Sequence, residues 1–291
     1  MRAGIVTGVA LAGLALAGCG GVDGGAGLVV TGSPAASPYA GPLRLPPESE
    51  PEPKGSGDGG EPGPGEGSGA AGRALECDGP LYSGGGSDRW SEGDGGSTPE
   101  EGLKAYFDIS QPDVPRYGYR VERREGDRVL FSFDVKGRTK VAVVVAKDQP
   151  HRPGWGPETS AACDPAEWPA SYTRSRGYEI WKDRDGHRVA TTKVSSSPGA
   201  EHCDWQSAHF LSLGSGPGSR RYVRDPHGIF EPKLLNGTYR PDVSMPADAH
   251  DTGYHYRGWN LWLTPDKSTA YIRTSHGVES WPAASARIGC D

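Results

Sequence analysis

Between Ser97 and Cys163 the spacing of apolar positions changes period once, and that change predicts a helix followed by a sheet. Thr98-Pro99-Glu100-Glu101 reads as a helix start, with a Thr N-cap, Pro at the first helical position and Glu placed to complete a capping box. Leu103, Tyr106 and Phe107 then fall at i, i+3 and i+4 and give that helix one apolar face. From Tyr117 the period drops to two. Residues 117–124, 128–135 and 139–146 read as strands, separated by Glu125-Gly126-Asp127 and Lys136-Gly137 turn signals. In the second run Val129, Phe131, Phe133 and Val135 alternate with Arg128, Ser132 and Asp134, the pattern of one buried and one wet face. Residues 140–146 are almost continuously apolar and are expected at the centre of the sheet, with 155–163 as a fourth strand.

Past residue 171 the helical period fades. Runs 178–181 and 187–190 flank Asp185-Gly186, runs 205–213 and 220–223 flank a Gly-rich loop, and runs 259–264 and 270–273 flank Pro265-Asp266. Short strands with such turns predict a mostly antiparallel β unit. The expected fold class is therefore α+β: a helix on an antiparallel sheet over 75–170, then a mostly β domain over 171–291. The first unit resembles the small helix-on-sheet domains of exported bacterial proteins, a likeness of fold that implies no activity. The hairpin at 261–272 is similar to the inner strands of propeller blades. About 120 residues are too few for a propeller of ~40-residue blades, so a sandwich or meander is expected.

Composition changes the picture upstream of residue 75. The chain holds 45 Gly and 26 Pro with only 34% hydrophobic residues, and 20–74 is almost all Gly, Pro, Ser, Ala and Glu. Such a segment buries too little apolar area to offset the entropy of ordering, so 19–74 reads as a disordered linker with a typical span of roughly 40 Å. That reach would lift a domain off a membrane and into a cell wall. Residues 4–17 form an uncharged apolar run behind Arg2, too short to span a bilayer and of a length that fits a signal peptide. Leu16-Ala17-Gly18-Cys19 resembles the lipobox of bacterial lipoproteins. The resemblance implies that 1–18 is a signal peptide and that Cys19 becomes the lipidated N-terminus. It also implies an extracytoplasmic protein anchored to the cell membrane by a diacylglyceryl group and palmitate-type acyl chains. The Gly-, Pro-, Ala- and Arg-rich, Lys-poor composition resembles that of actinobacterial cell-surface lipoproteins.

Charge narrows the partners. The net charge is −6; residues 20–72 carry seven acidic against two basic side chains, and 73–291 carry 30 against 28. No basic block or stripe is present, so nucleic acid is not an expected partner. If Cys19 carries lipid, the other four cysteines, Cys77, Cys163, Cys203 and Cys290, read as two disulfides of an exported chain. Three connectivities are open. Separations of 86 and 87 residues, and an Asp after each cysteine, favour 77–163 and 203–290.

Candidate chemistry is sparse. His250 and His255, with Asp251, are the residues a metal-dependent hydrolase would use, although they lack the H-E-x-x-H spacing. Asp183-Arg184-Asp185-Gly186 reads as a hairpin turn rather than a calcium loop, and Gly214-Ser215-Gly216 lacks the spacing of a nucleophile elbow. Tyr254, Tyr256, Trp259 and Trp262 form either an exposed aromatic row for sugar or protein, or the core of a unit poor in Leu, Ile and Phe. No catalytic set and no cofactor are expected. The reading is a lipid-anchored binding or accessory module whose partner is cell-wall polysaccharide or an envelope protein. A metal-dependent hydrolase and a carbohydrate-binding surface protein are the alternatives.

Overall fold

The computed structural model describes residues 27–44, 68–84, 91–216, 218–285 and 288–289. The expected signal peptide 1–18, Cys19 and Cys290 lie outside the described residues. The first unit comprises α1 (Gly69–Ala74), β1 (Leu81–Gly84), α2 (Pro99–Ser110), β2 (Arg120–Glu125), β3 (Arg128–Val135), β4 (Arg138–Gln149) and β5 (Arg152–Cys163). Its strands form one antiparallel sheet in the order β1-β5-β4-β3-β2. Helix α2 starts where the sequence places it. Thr98 Oγ1 accepts the Glu101 N–H at 3.2 Å, and the Glu101 carboxylate accepts the Thr98 N–H at 3.2 Å. Leu103, Tyr106 and Phe107 share a core cluster with Val141, Val143 and Val145 of β4.

The opposite face of the sheet corrects two expectations. Residues 27–44, read as linker, form a strap, and together with α1 they cover that face. Leu43, Ala70, Ala71 and Ala74 are buried in one cluster with Leu130, Ala142, Val144 and Ala161. Strand β4 is therefore apolar on both sides, and all of Val141 to Ala146 are fully buried. The polar face of β3 is not wet either, since Ser132 is fully buried. Its hydroxyl donates to Glu122 of β2, and the carboxylates of β2 and of the β2–β3 turn meet a Gly- and Pro-rich strap whose backbone N–H groups need acceptors. Glu122 accepts from Tyr39 N, Glu125 accepts from Leu43 N at 3.3 Å, and Asp127 pairs with Arg44 at 3.0 Å. Few apolar residues are needed when the cover is made mostly of main chain.

The second unit contains α3 (Ala170–Ser175), β6 (Val194–Pro198), β7 (His209–Leu213), β8 (Arg220–Arg224), β9 (His250–Tyr256), β10 (Trp259–Leu263), β11 (Thr269–Thr274) and β12 (Gly277–Pro282). Two antiparallel meanders, β6-β7-β8 and β12-β11-β10-β9, enclose one core. Val194, Leu211 and Tyr222 meet Leu261, Ala270, Ile272 and Trp281 there, with Trp181 fully buried among them. The expected hairpin of 178–181 with 187–190 forms only at its tip, where Val189 N donates to Trp181 O at 2.8 Å. Its first arm pairs elsewhere: Glu179 bridges Ser196 and Lys182 bridges His255, so this segment links the open edges of both sheets.

Cys77 and Cys163 are joined in a disulfide that closes an 86-residue separation, stabilising by about 4–5 kcal/mol in the chain-entropy picture. Cys203 is disulfide-bonded as well. The two units meet at Asp164, next to the first disulfide. Its buried carboxylate accepts the N–H groups of Ala166 and Thr191, at 2.8 and 2.9 Å, and the Thr191 hydroxyl at 2.9 Å.

Candidate functional site

Three of the four aromatic residues singled out in the sequence come together, and they do so as core. Tyr254, Tyr256 and Trp259 are half-buried against the second core, with Trp259 5.4 Å from Trp281 and 6.1 Å from Tyr256 between ring centres. Trp262 alternates to the other side of β10 and lies under the Arg273 guanidinium, 4.5 Å from its ring centre. The four rings are therefore not one exposed row. Beside Trp259, a polar knot is folded into the apolar surroundings. Glu179 accepts from Ser196 Oγ and contacts His209 Nε2 at 2.7 Å, while the Trp181 indole N–H donates to Ser196 Oγ at 2.8 Å. Serine bonds to the carboxylate rather than to the imidazole, so this is not the arrangement of a serine nucleophile and its base.

A concentration of cations lies just outside that knot. A groove of about 590 Å³ runs between α3, the 180–188 hairpin and the β9–β10 turn. Arg174, Lys182, Arg188 and Arg257 line it, together with His255, Tyr178 and Tyr256, and no carboxylate does. Local structure sets each cation. Arg257 opens the two-residue turn Arg257-Gly258, both at positive φ (45° and 87°), as such tight hairpins require. Its guanidinium then lies over the Tyr256 ring at 5.2 Å. Arg188 is held by neutral acceptors: the carbonyls of Trp168 and Pro165, and Thr173 Oγ1 at 2.9 Å. Those contacts orient the guanidinium without neutralising it. Burial holds the Arg188 pKa below its ordinary value, against the opposing attraction of Asp164.

Nearby carboxylates are already engaged. Asp113 pairs with Arg176 at 2.9 Å and accepts the Tyr178 hydroxyl at 2.6 Å, and Glu179 belongs to the knot. Burial and the Asp113 contact push the Tyr178 phenol up, so it stays a neutral donor. A neighbouring cleft of about 750 Å³ makes the contrast plain. Its Lys136, Arg138, Lys140, Arg188 and Lys193 face Asp78, Asp164, Glu167 and Asp183, and Lys140 pairs with Glu167 at 2.6 Å. In the 590 Å³ groove, by contrast, no carboxylate stands among the lining residues, and Arg188 lines both sites.

The histidine pair is not assembled. His250 and His255 sit at opposite ends of β9, opposite Leu263 and Asn260, and among the described residues neither belongs to a cluster of three candidate metal ligands. Asp251 instead lies 3.7 Å from Arg184. Asp183, Asp185 and His187 do cluster, at the hairpin tip, where Asp183 Oδ1 accepts the N–H groups of Asp185 and His187 and closes the turn. Sequence reasoning reached His255 and Tyr256 but missed Arg174, Lys182, Arg188 and Arg257. These cations come from three separate segments of a nearly neutral stretch, so no run of charge announces them. Comparison with protein-family models, with curated proteins and with solved structures finds no match to this chain.

Proposed function

We propose that this protein is an exported lipoprotein, anchored through Cys19, whose folded part is a non-enzymatic binding module for an anionic polysaccharide of the cell envelope. The lipobox and the Cys77–Cys163 disulfide support export to an oxidising compartment. The groove carries the choice of ligand. Four cations converging on a concave site without a carboxylate call for an anion, and guanidinium groups pair bidentately with carboxylate or phosphate. The volume lies within the range of small-ligand sites and suits one or two sugar units of a longer chain.

Uronates and sugar-linked phosphates offer the same charge, so binding is measured by calorimetry with polygalacturonate and with poly(glycerol phosphate), using dextran as the neutral control. The wild type is expected to bind at least one polyanion, more weakly as salt rises, and to ignore dextran. Reversing Lys182 and Arg257 to Glu is expected to weaken binding about tenfold or more. Reversing Lys136 and Lys193, exposed in the balanced cleft, should change it less than about twofold. No saturable binding, or equal loss in both double variants, contradicts the assignment.

A further inference from the structure

The strap moves the point at which any anchor meets the fold. Only residues 20–26 separate Cys19 from Gly27, where the strap is already pinned to the start of β2. Gly118 N donates to Gly27 O at 3.2 Å, Tyr119 N to Leu28 O at 3.0 Å, and Val30 N to Tyr119 O at 2.7 Å. Eight residue steps reach about 29 Å at full extension and roughly 16 Å as a flexible chain. The long Gly-, Pro- and Glu-rich segment 45–67 adds nothing to that reach. It joins Arg44, paired with Asp127, to Ser68 at the start of the packed helix α1, and both ends belong to the same unit.

Near this entry point two large apolar side chains are exposed. Val30 is 41% exposed and Tyr117 51% exposed, two of the four large apolar side chains that stand out among the described residues. Between Tyr117 and the helix lies Arg116, half-exposed, paired with Asp108 and set over the Phe107 ring at 5.7 Å. Tyrosine and arginine with an apolar neighbour are the side chains that settle at a membrane–water interface, ring or stem inward and polar end outward.

We infer that the edge of the first unit where the strap meets the start of β2, carrying exposed Val30 and Tyr117, rests on the membrane surface, held there by the short connection to lipidated Cys19. The inference rests on the lipoprotein reading and deepens it. The folded part sits at the bilayer rather than some 40 Å away, and the strap, not a free linker, fixes which face is turned to the lipid.

Photocrosslinking in the full chain, expressed with its own leader in a bacterial host, tests this. p-Benzoylphenylalanine at position 117 is expected to label phospholipid, whereas the same group at position 229, an exposed apolar site on the second unit, is not. Inserting 20 Gly/Ser residues between 22 and 23 should lower labelling at 117 about sixfold, as effective concentration falls with the −3/2 power of length. Equal labelling at 117 and 229, or labelling indifferent to the insertion, overturns the inference. Intact mass separates the two ideas. A diacylglyceryl adduct on Cys19 without lipid labelling at 117 removes the docked face alone; a chain without the adduct removes the anchor and the face together.

Discussion

Asp164 shows what a single residue does here and how little of it is visible in the sequence. It follows Cys163 at the end of β5, fully buried, and its carboxylate receives the Thr191 N–H and hydroxyl from the segment that leads into the second unit. Removing it in Asp164→Ala leaves several buried donors without an acceptor, each costing about 1–3 kcal/mol. The expected loss is about 3 kcal/mol in urea unfolding, with Asp164→Asn milder; a loss under about 1 kcal/mol would show that the junction is not held there. The Cys-Asp repeat drew attention to this position but predicts no common role. Asp78 pairs with Arg138 at the surface, and Asp204 takes a left-handed backbone at φ 57°.

Among the elements, the strap is where composition misled and pattern was right. The apolar run of 141–146 placed this strand at the centre of the sheet, and such a run suits a strand covered on both faces. Nothing downstream supplied the second cover, and a stretch of Gly, Pro and Ser was not a natural candidate, because its contribution is mainly backbone N–H groups meeting Glu122 and Glu125. Leu43 gives the cleanest test, being 2% exposed. Leu43→Ala should destabilise the protein by about 2–3 kcal/mol in thermal or urea unfolding. In a linker the same change would fall within about 0.5 kcal/mol. Helix α2 and strands β3 and β4 were legible because capping chemistry, the alternation of β3 and the apolar run of β4 mark them locally. Strand β6 was not, since Val194-Ser195-Ser196-Ser197-Pro198 has no apolar alternation and is recruited by pairing with β7. The groove was the least legible feature, because its cations converge only once α3, the 180–188 hairpin and the β9–β10 turn have folded.

At the scale of the whole molecule, charge and attachment point the same way. Within a chain of net charge −6, the groove of four cations has no carboxylate in its lining and forms a local site of attraction for anions. The described fold begins at Gly27, eight residues after Cys19, so an anchored molecule would work at the foot of the envelope rather than at the end of a long tether. Everything in that picture depends on the lipid. The most direct measurement is therefore detergent-phase partitioning and intact mass of wild type and Cys19→Ala, expressed with the native leader. The wild type should partition with membranes and carry a diacylglyceryl adduct on a chain beginning at Cys19, while Cys19→Ala should lose both and keep the thermal unfolding profile of the folded part. A wild type without the adduct, or a Cys19→Ala protein that stays in the detergent phase, would contradict it.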